Sequence, residues 1–284
     1  MTLSKLLQSG PFPLIARWAP TVLVRCVFKA ASRLYYLLGN TGERSLIRAN
    51  VRDLLGPTWK SGAAEAVMPV FSGIADHYFE KLLLASKSTS YLRRYIGQRA
   101  VLVGERRLAA AQARGKGTLI VTAHWGAEEL IPAILFLRGY PVTVILETAT
   151  ERLRAKLEEK ARGCDVELLF ASDPGGILDK ILGALSRGRI LVTQCDEVDS
   201  WRRRKSRTIE LFGHTLFFDH TLDFIAKASG ASVLAMYNRR LPSLRYRLVC
   251  EDIAPEGYRE GSDVSRASLR SEEHTSELQS PNTI

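Results

Sequence analysis

The sequence predicts a single α/β domain with a mostly parallel central sheet flanked by helices, preceded by an amphipathic, membrane-associated N-terminal helix. Three observations predict it. After Gly97, short apolar runs recur at Ala100–Val103, Thr118–Thr122, Val142–Leu146, Val166–Phe170 and Ile190–Thr193. Segments of helical spacing alternate with them around Glu105–Arg114, Ala127–Leu137, Thr150–Arg162 and Ile177–Arg187, which is the pattern of strands joined by crossover helices. The chain before Gly97 carries only helical patterns, and its 284 residues, 46% hydrophobic, suffice for a substantial core.

Taken in order, residues 1–40 form the membrane-associating segment. From Trp18 to Leu38 large apolar residues are interrupted by Arg25, Lys29 and Arg33, which a helix places in one stripe. Val24, Val27, Phe28, Leu34, Tyr35 and Leu38 cover much of the remaining surface. This pattern predicts a helix lying in a bilayer interface, cations toward phosphates. The alternatives are a helix packed on its own domain and a full span. No small-residue cleavage site follows, which argues against a removed signal peptide. The α/β domain covers residues 41–269 and begins with helices over Glu43–Leu55 and Ala63–Ser86. Beyond the alternating region lie a hairpin over Thr208–Phe218 turning at Gly213-His214, a helix over Leu222–Ser229, and strands near Ser232–Tyr237 and Tyr246–Cys250. The stretch Arg270–Ser280 reads like one frame of a sequencing-library adapter, so residues 270–284 are expected to be an artefact and carry no functional argument.

A net charge of +10 favours polyanionic partners: anionic lipid, phosphorylated substrates or nucleic acid. Cys26, Cys164, Cys195 and Cys250 are widely spaced and form no Cys-x-x-Cys pair, so buried free thiols in a reducing compartment are the expectation. No metal site is expected. His214, Asp219 and His220 lie on a hairpin and its exit without ligand geometry, and His77 reads as structural.

The apolar strand Thr118–Thr122 runs directly into His124, within Thr122-Ala-His-Trp-Gly-Ala-Glu-Glu129. Parallel sheets place ligands outside the carboxyl ends of their strands. Glu129 falls in the first turn of the following helix, where a carboxylate is favoured, and Gly126 lets the loop fold tightly. A carboxylate turning back onto one imidazole nitrogen leaves the other to accept a proton, the arrangement of a general base. On spacing alone, a strand-end His satisfied by a helix-cap carboxylate fits equally well. Glu128 competes with Glu129 as partner, and Asp196-Glu197, ending another strand, could orient His124 or bind an acceptor. Gly-x-Ser-x-Gly is absent, so direct attack by an activated hydroxyl on a thioester carbonyl is the natural chemistry.

The segment around His124 resembles the His-x4-(Asp/Glu) motif of the bacterial lipid A biosynthesis acyltransferases, relatives of the lysophospholipid acyltransferases. The likeness extends to Gly104-Glu-Arg-Arg-Leu-Ala-Ala-Ala, Arg114-Gly-Lys-Gly-Thr-Leu-Ile-Val and Ser186-Arg-Gly-Arg-Ile-Leu-Val with Asp196. It continues through Ile209-Glu-Leu-Phe-Gly213 and Phe224-Ile-Ala-Lys-Ala-Ser-Gly-Ala-Ser-Val233, covering roughly residues 34–252. The resemblance implies an acyl carrier protein or coenzyme A thioester as donor and a glycolipid hydroxyl as acceptor. It implies His124 as base and Glu129 as its partner, with no cofactor, at the cytoplasmic face of the inner membrane. Gly126, Asp196 and Glu197 are then substrate-binding candidates. One departure is the basic segment Asp199–Arg207, in which Arg203, Arg204 and Arg207 could clamp lipid phosphates or an acidic carrier, or form a solvated loop. The competing function is a basic peripheral membrane or nucleic-acid-binding protein without catalysis; no nucleic-acid-binding motif accompanies the charge, so no nucleic-acid partner is expected.

Overall fold

A computed structural model describes residues 16–38, 41–55, 63–146, 151–162, 164–196, 208–211, 214–217 and 221–253. The chain divides into two compact units, Met1–Leu92 with Glu210–Thr215, and Arg93–Ile209 with Leu216–Ile284.

The first unit is built from α1 (Thr21–Leu38), α2 (Thr41–Leu55), α3 (Ala63–Ser86) and the start of α4 (Thr89–Arg99). On α3, Val67, Phe71, Ala75, Phe79 and Leu82 recur every three to four residues and are all buried. Val24, Phe28 and Tyr36 supply the facing stripe of α1. Phe28 meets Phe79 edge-on at 6.4 Å, and Tyr36 meets Phe71 at 5.1 Å. As one number rises the other falls, so α1 and α3 run antiparallel.

Two of the three cations in the α1 stripe turn inward, against the expectation that they face phosphates. Arg25 donates from Nε and a terminal nitrogen to the two carboxylate oxygens of Asp76 on α3, at 2.8 and 3.2 Å. Lys29 Nζ lies 3.2 Å from the same carboxylate, whose side chain is only 10% exposed. A carboxylate that deep requires cations, and Asp76 takes two of the three; Arg33 remains exposed. The face left to solvent is therefore apolar. Val22, Leu23, Val27, Leu34 and Leu37 are all exposed, with Trp18 just ahead of the helix.

The second unit is a seven-stranded sheet in the order β1-β9-β8-β2-β5-β3-β4. Its strands are β1 (Ala100–Val103), β2 (Thr118–Thr122), β3 (Val142–Leu146), β4 (Val166–Phe170), β5 (Ile190–Gln194), β8 (Ser232–Leu241) and β9 (Arg245–Asp252). Strands β6 (Thr208–Leu211) and β7 (His214–Phe217) form a separate two-stranded sheet, so His214 opens a strand rather than a turn. All pairings of the main sheet are parallel except β8 with β9. The α/β class with a mostly parallel sheet is as the sequence predicts.

Connecting helices are α5 (Glu105–Ala113), α6 (Ile131–Leu137), α7 (Glu151–Ala161), α8 (Ile177–Ser186) and α9 (Thr221–Ser229). Every residue of β2 is buried, because helices cover both faces there, and this is why it reads as an unbroken apolar run. On one face Leu119 and Val121 join Ile181 and Leu185 of α8 and Ile225 of α9 in a single core. Ile120 alternates to the other face, the side on which α6 crosses β3 and β8. At the amino edge of the sheet, Arg189 ties three strands together: it donates to Asp165 Oδ1 at 2.6 Å, Thr143 Oγ1 at 2.9 Å and the Val142 carbonyl at 2.8 Å.

The orientation of α1 is directly testable by denaturant titration. Phe28→Ala removes an inward ring and is expected to cost about 3–5 kcal/mol. Leu23→Ala, on the outward face, is expected to stay within about 0.5 kcal/mol of the wild type.

Candidate active site

His124 emerges where β2 ends, and the neighbouring strand decides what stands beside it. β2 and β5 pair in parallel from Thr118↔Ile190 through Thr122↔Gln194 at a constant offset of 72 residues. The Cys195 amide donates to the Thr122 carbonyl at 2.8 Å, which carries the pairing one step further. The same offset sets Asp196 level with His124. The Asp196 carboxylate accepts the His124 backbone N–H on Oδ2 at 2.9 Å and lies against the imidazole Nδ1 through Oδ1 at 3.0 Å. Holding both the main chain and the ring fixes the side chain's orientation. It also selects the tautomer with the proton on Nδ1, which gives Nε2 the basic lone pair. The two side chains are 41% and 32% exposed, so the pair is open to a reactant.

On its other side the loop is fastened to β8. The β2–β8 register ends at Val121↔Ala235 and resumes at Gly126↔Asn238. Five steps of chain on the β2 side thus match three on β8, and the surplus bows His124 and Trp125 out of the sheet. Gly126 closes the bow at φ +66°, and a Cβ there would lie 2.1 Å from the Asn238 carbonyl oxygen. Ala127 is gripped twice: its N–H donates to the Asn238 carbonyl, and its own carbonyl accepts from Asn238 Nδ2, each at 2.8 Å. The bowed Trp125 rests edge-on against Tyr237 at 5.8 Å, and the Tyr237 hydroxyl donates to Glu251 Oε1 at 3.0 Å.

Glu129 was the first choice of partner for His124, with Glu128 and Asp196-Glu197 as competitors, and the carboxylate found on Nδ1 is that of Asp196. Once Gly126 and Ala127 are pinned to β8, the chain enters a 3-10 turn at Glu128–Leu130, and α6 follows from Ile131 with Pro132 in its first turn. Glu129 travels with that turn, and Glu128 is buried within it. Gly126 does lie in the loop, though as a hinge pressed on β8. Glu197, Arg203, Arg204 and Arg207 lie outside the described residues. Asn238 was missed by sequence reasoning, although an Asn inside the apolar strand Ser232–Tyr237-Asn238 is a signal, since a buried carboxamide needs partners.

Fold and site together define a mostly parallel α/β protein with a carboxylate-held histidine at the carboxyl edge of its sheet. No protein-family model matches the chain, and a search of curated proteins finds no match either.

The buried Cys250 thiol is pushed up to about 12, chiefly by burial. It stays protonated at neutral pH and is no nucleophile there. Its usual value is 9.0, so the folded state holds this proton over a range where the unfolded chain releases it. Stability conferred by the buried thiol is complete below pH about 9 and falls as pH rises toward about 12, by up to about 1.4 kcal/mol per pH unit. Denaturant titrations across that range are expected to show the slope, and Cys250→Ala to remove it.

Proposed function

We propose that this chain is a membrane-associated acyltransferase that moves a fatty acyl group from a thioester to the hydroxyl of a glycolipid, a lipid A precursor being the acceptor favoured by resemblance. The observation that carries the reading is the Asp196-held His124 at the carboxyl edge of the sheet. Nε2 takes the proton of the acceptor hydroxyl as its oxygen attacks the thioester carbonyl. Asp196 stabilises the imidazolium, which then returns the proton to the departing thiolate as the tetrahedral intermediate collapses. The products are an ester and a thiol, on acyl carrier protein or coenzyme A. The sequence resemblance around His124 supports transfer to a lipid rather than to water.

Supporting membrane association is the exposed apolar face of α1, which suits the acyl boundary of a bilayer at its cytoplasmic surface. Among the described residues no helix is long and apolar enough to cross a membrane.

His124→Ala is expected to abolish acyl transfer, measured by mass spectrometry of the lipid product, while circular dichroism stays unchanged. Unaltered transfer would sink the proposal. Asp196→Asn is expected to lower kcat/KM by roughly 100-fold or more and to move the acidic limb of the pH profile to lower pH, since the imidazolium loses its counter-charge. Glu129→Gln should leave that limb in place.

The α1 face has its own test. Leu23→Gln combined with Leu34→Gln is expected to weaken cosedimentation with neutral phosphatidylcholine vesicles by roughly tenfold or more, on the scale of two lost apolar contacts. Unchanged binding would remove α1 as the membrane-facing helix.

A further inference from the structure

β8 outruns β2. Beyond Asn238, Arg239–Leu241 have no β2 partner and pair only with β9, through Arg239↔Arg247, Arg240↔Tyr246 and Leu241↔Arg245. The β8–β9 hairpin therefore stands past the carboxyl edge of the sheet, the edge from which His124 emerges. Its tip is held by Arg99, which donates to the Ser243 carbonyl at 3.1 Å.

One face of this arm is cationic. Residues directly opposite in register share a face, as do residues two apart on one strand. Arg239, Arg245 and Arg247 thus project from the same side, with Arg239 directly across from Arg247 and diagonal to Arg245. Arg245 and Arg247 are exposed and Arg239 is half-buried. Among the described residues none of the three has an ion-pair partner, and Glu251, further along this face, accepts the Tyr237 hydroxyl. Like charges directly opposed across an antiparallel pair repel, a cost that an anion between them would relieve. Three forked guanidiniums on one face of a short hairpin offer the donors that phosphate oxygens take.

The same face continues onto the edge strand. Val101 pairs with Arg247 and Val103 with Val249, and the two valines are 51% and 43% exposed. Free phosphate gives no reason for apolar residues beside the cations; a phosphate at a hydrocarbon boundary does. The face is also continuous with the active loop. Tyr237, which supports Trp125, lies two residues and about 7 Å along β8 from Arg239.

We propose that the β8–β9 arm is a binding site for the phosphate of a lipid headgroup at a bilayer surface, with Arg239, Arg245 and Arg247 taking the phosphate and Val101 and Val103 meeting the apolar boundary. The site deepens the acyltransferase reading by supplying a headgroup contact beside His124, but its binding does not depend on the chemistry of that residue.

The test uses the full chain and cosedimentation with two vesicle populations, phosphatidylcholine alone and phosphatidylcholine doped with phosphatidic acid. The wild type is expected to bind the doped vesicles more tightly. Replacing the three arginines together (R239Q, R245Q, R247Q) is expected to remove that gain, a loss of roughly tenfold to a hundredfold, and to leave neutral-vesicle binding as it was. A comparison variant (R106Q, R114Q, K116Q) removes the same charge from the amino edge of the sheet and should retain the gain. Equal loss in both variants would overturn the site in favour of net charge alone. Complete displacement by inorganic phosphate would overturn the lipid assignment, and retention by polyglutamate with no preference for doped vesicles would overturn it in favour of an acidic protein. Unfolding of the arginine variant is checked by its thermal melt; should it melt early, each single Arg→Lys variant, which keeps the charge but not the fork, must still weaken doped-vesicle binding. His124→Ala should bind as the wild type does, so lost catalysis and lost binding remain separable.

Discussion

The parallel pairing of β2 with β5 is the constraint on which the site depends. Five consecutive residue pairs hold one offset, and the Cys195 amide extends it past the formal strand ends. Because the two chains leave the sheet at the same level, a histidine on one and an aspartate on the other meet without either loop having to search. A slip of one residue would turn every side chain of β2 to the opposite face, taking Leu119 and Val121 out of the core they share with α8 and α9. The core packing that prevents the slip is therefore also what positions the carboxylate on the imidazole. Sites held on strands in this way are more tightly positioned than sites on free loops.

Strands β2 and β5 were legible because they are buried on both faces and so spell continuous apolar runs, and the edge strand β1 is apolar too although Val101 and Val103 are exposed. The same logic failed where burial ends. β8 and β9 each outlast their apolar stretches, since beyond Asn238 only one side of the hairpin, at Leu244 and Tyr246, is buried. Helix α4 was not foreseen, because Thr89–Arg99 is largely polar and buries only Tyr95 and Ile96. On α1 the stripe of cations could be read but its direction could not. The residue that turns it inward, Asp76, lies 51 positions from Arg25, and nothing local announces it.

The candidate site divides along the same line. His124 could be found because a strand handing over to a loop is visible in the local pattern. Asp196 could be named as one possible partner but not chosen, since spacing along the chain favours Glu129, five residues away, and register favours Asp196, 72 away. Register brings Asp196 to the ring, and a second contact fixes the loop that follows. Asn238 grips Ala127 with both its backbone and its side chain, which commits the chain to the 3-10 turn before Glu129 is reached.

The overhang of β8 then links two properties that would otherwise look unrelated. Asn238 is the last residue of β8 to touch the active loop, and Arg239 is the first of the cationic arm. Being consecutive on one paired strand, they are separated by a fixed distance of a few ångströms and not by a flexible linker. An amphiphile whose headgroup rests on the arm would thus have its nearer hydroxyls presented to the edge from which His124 emerges. Only acceptors whose spacing between phosphate and hydroxyl matches that distance would gain from both contacts at once. A rigid arm of this kind discriminates by length, whereas a mobile basic loop would contribute attraction without measuring anything.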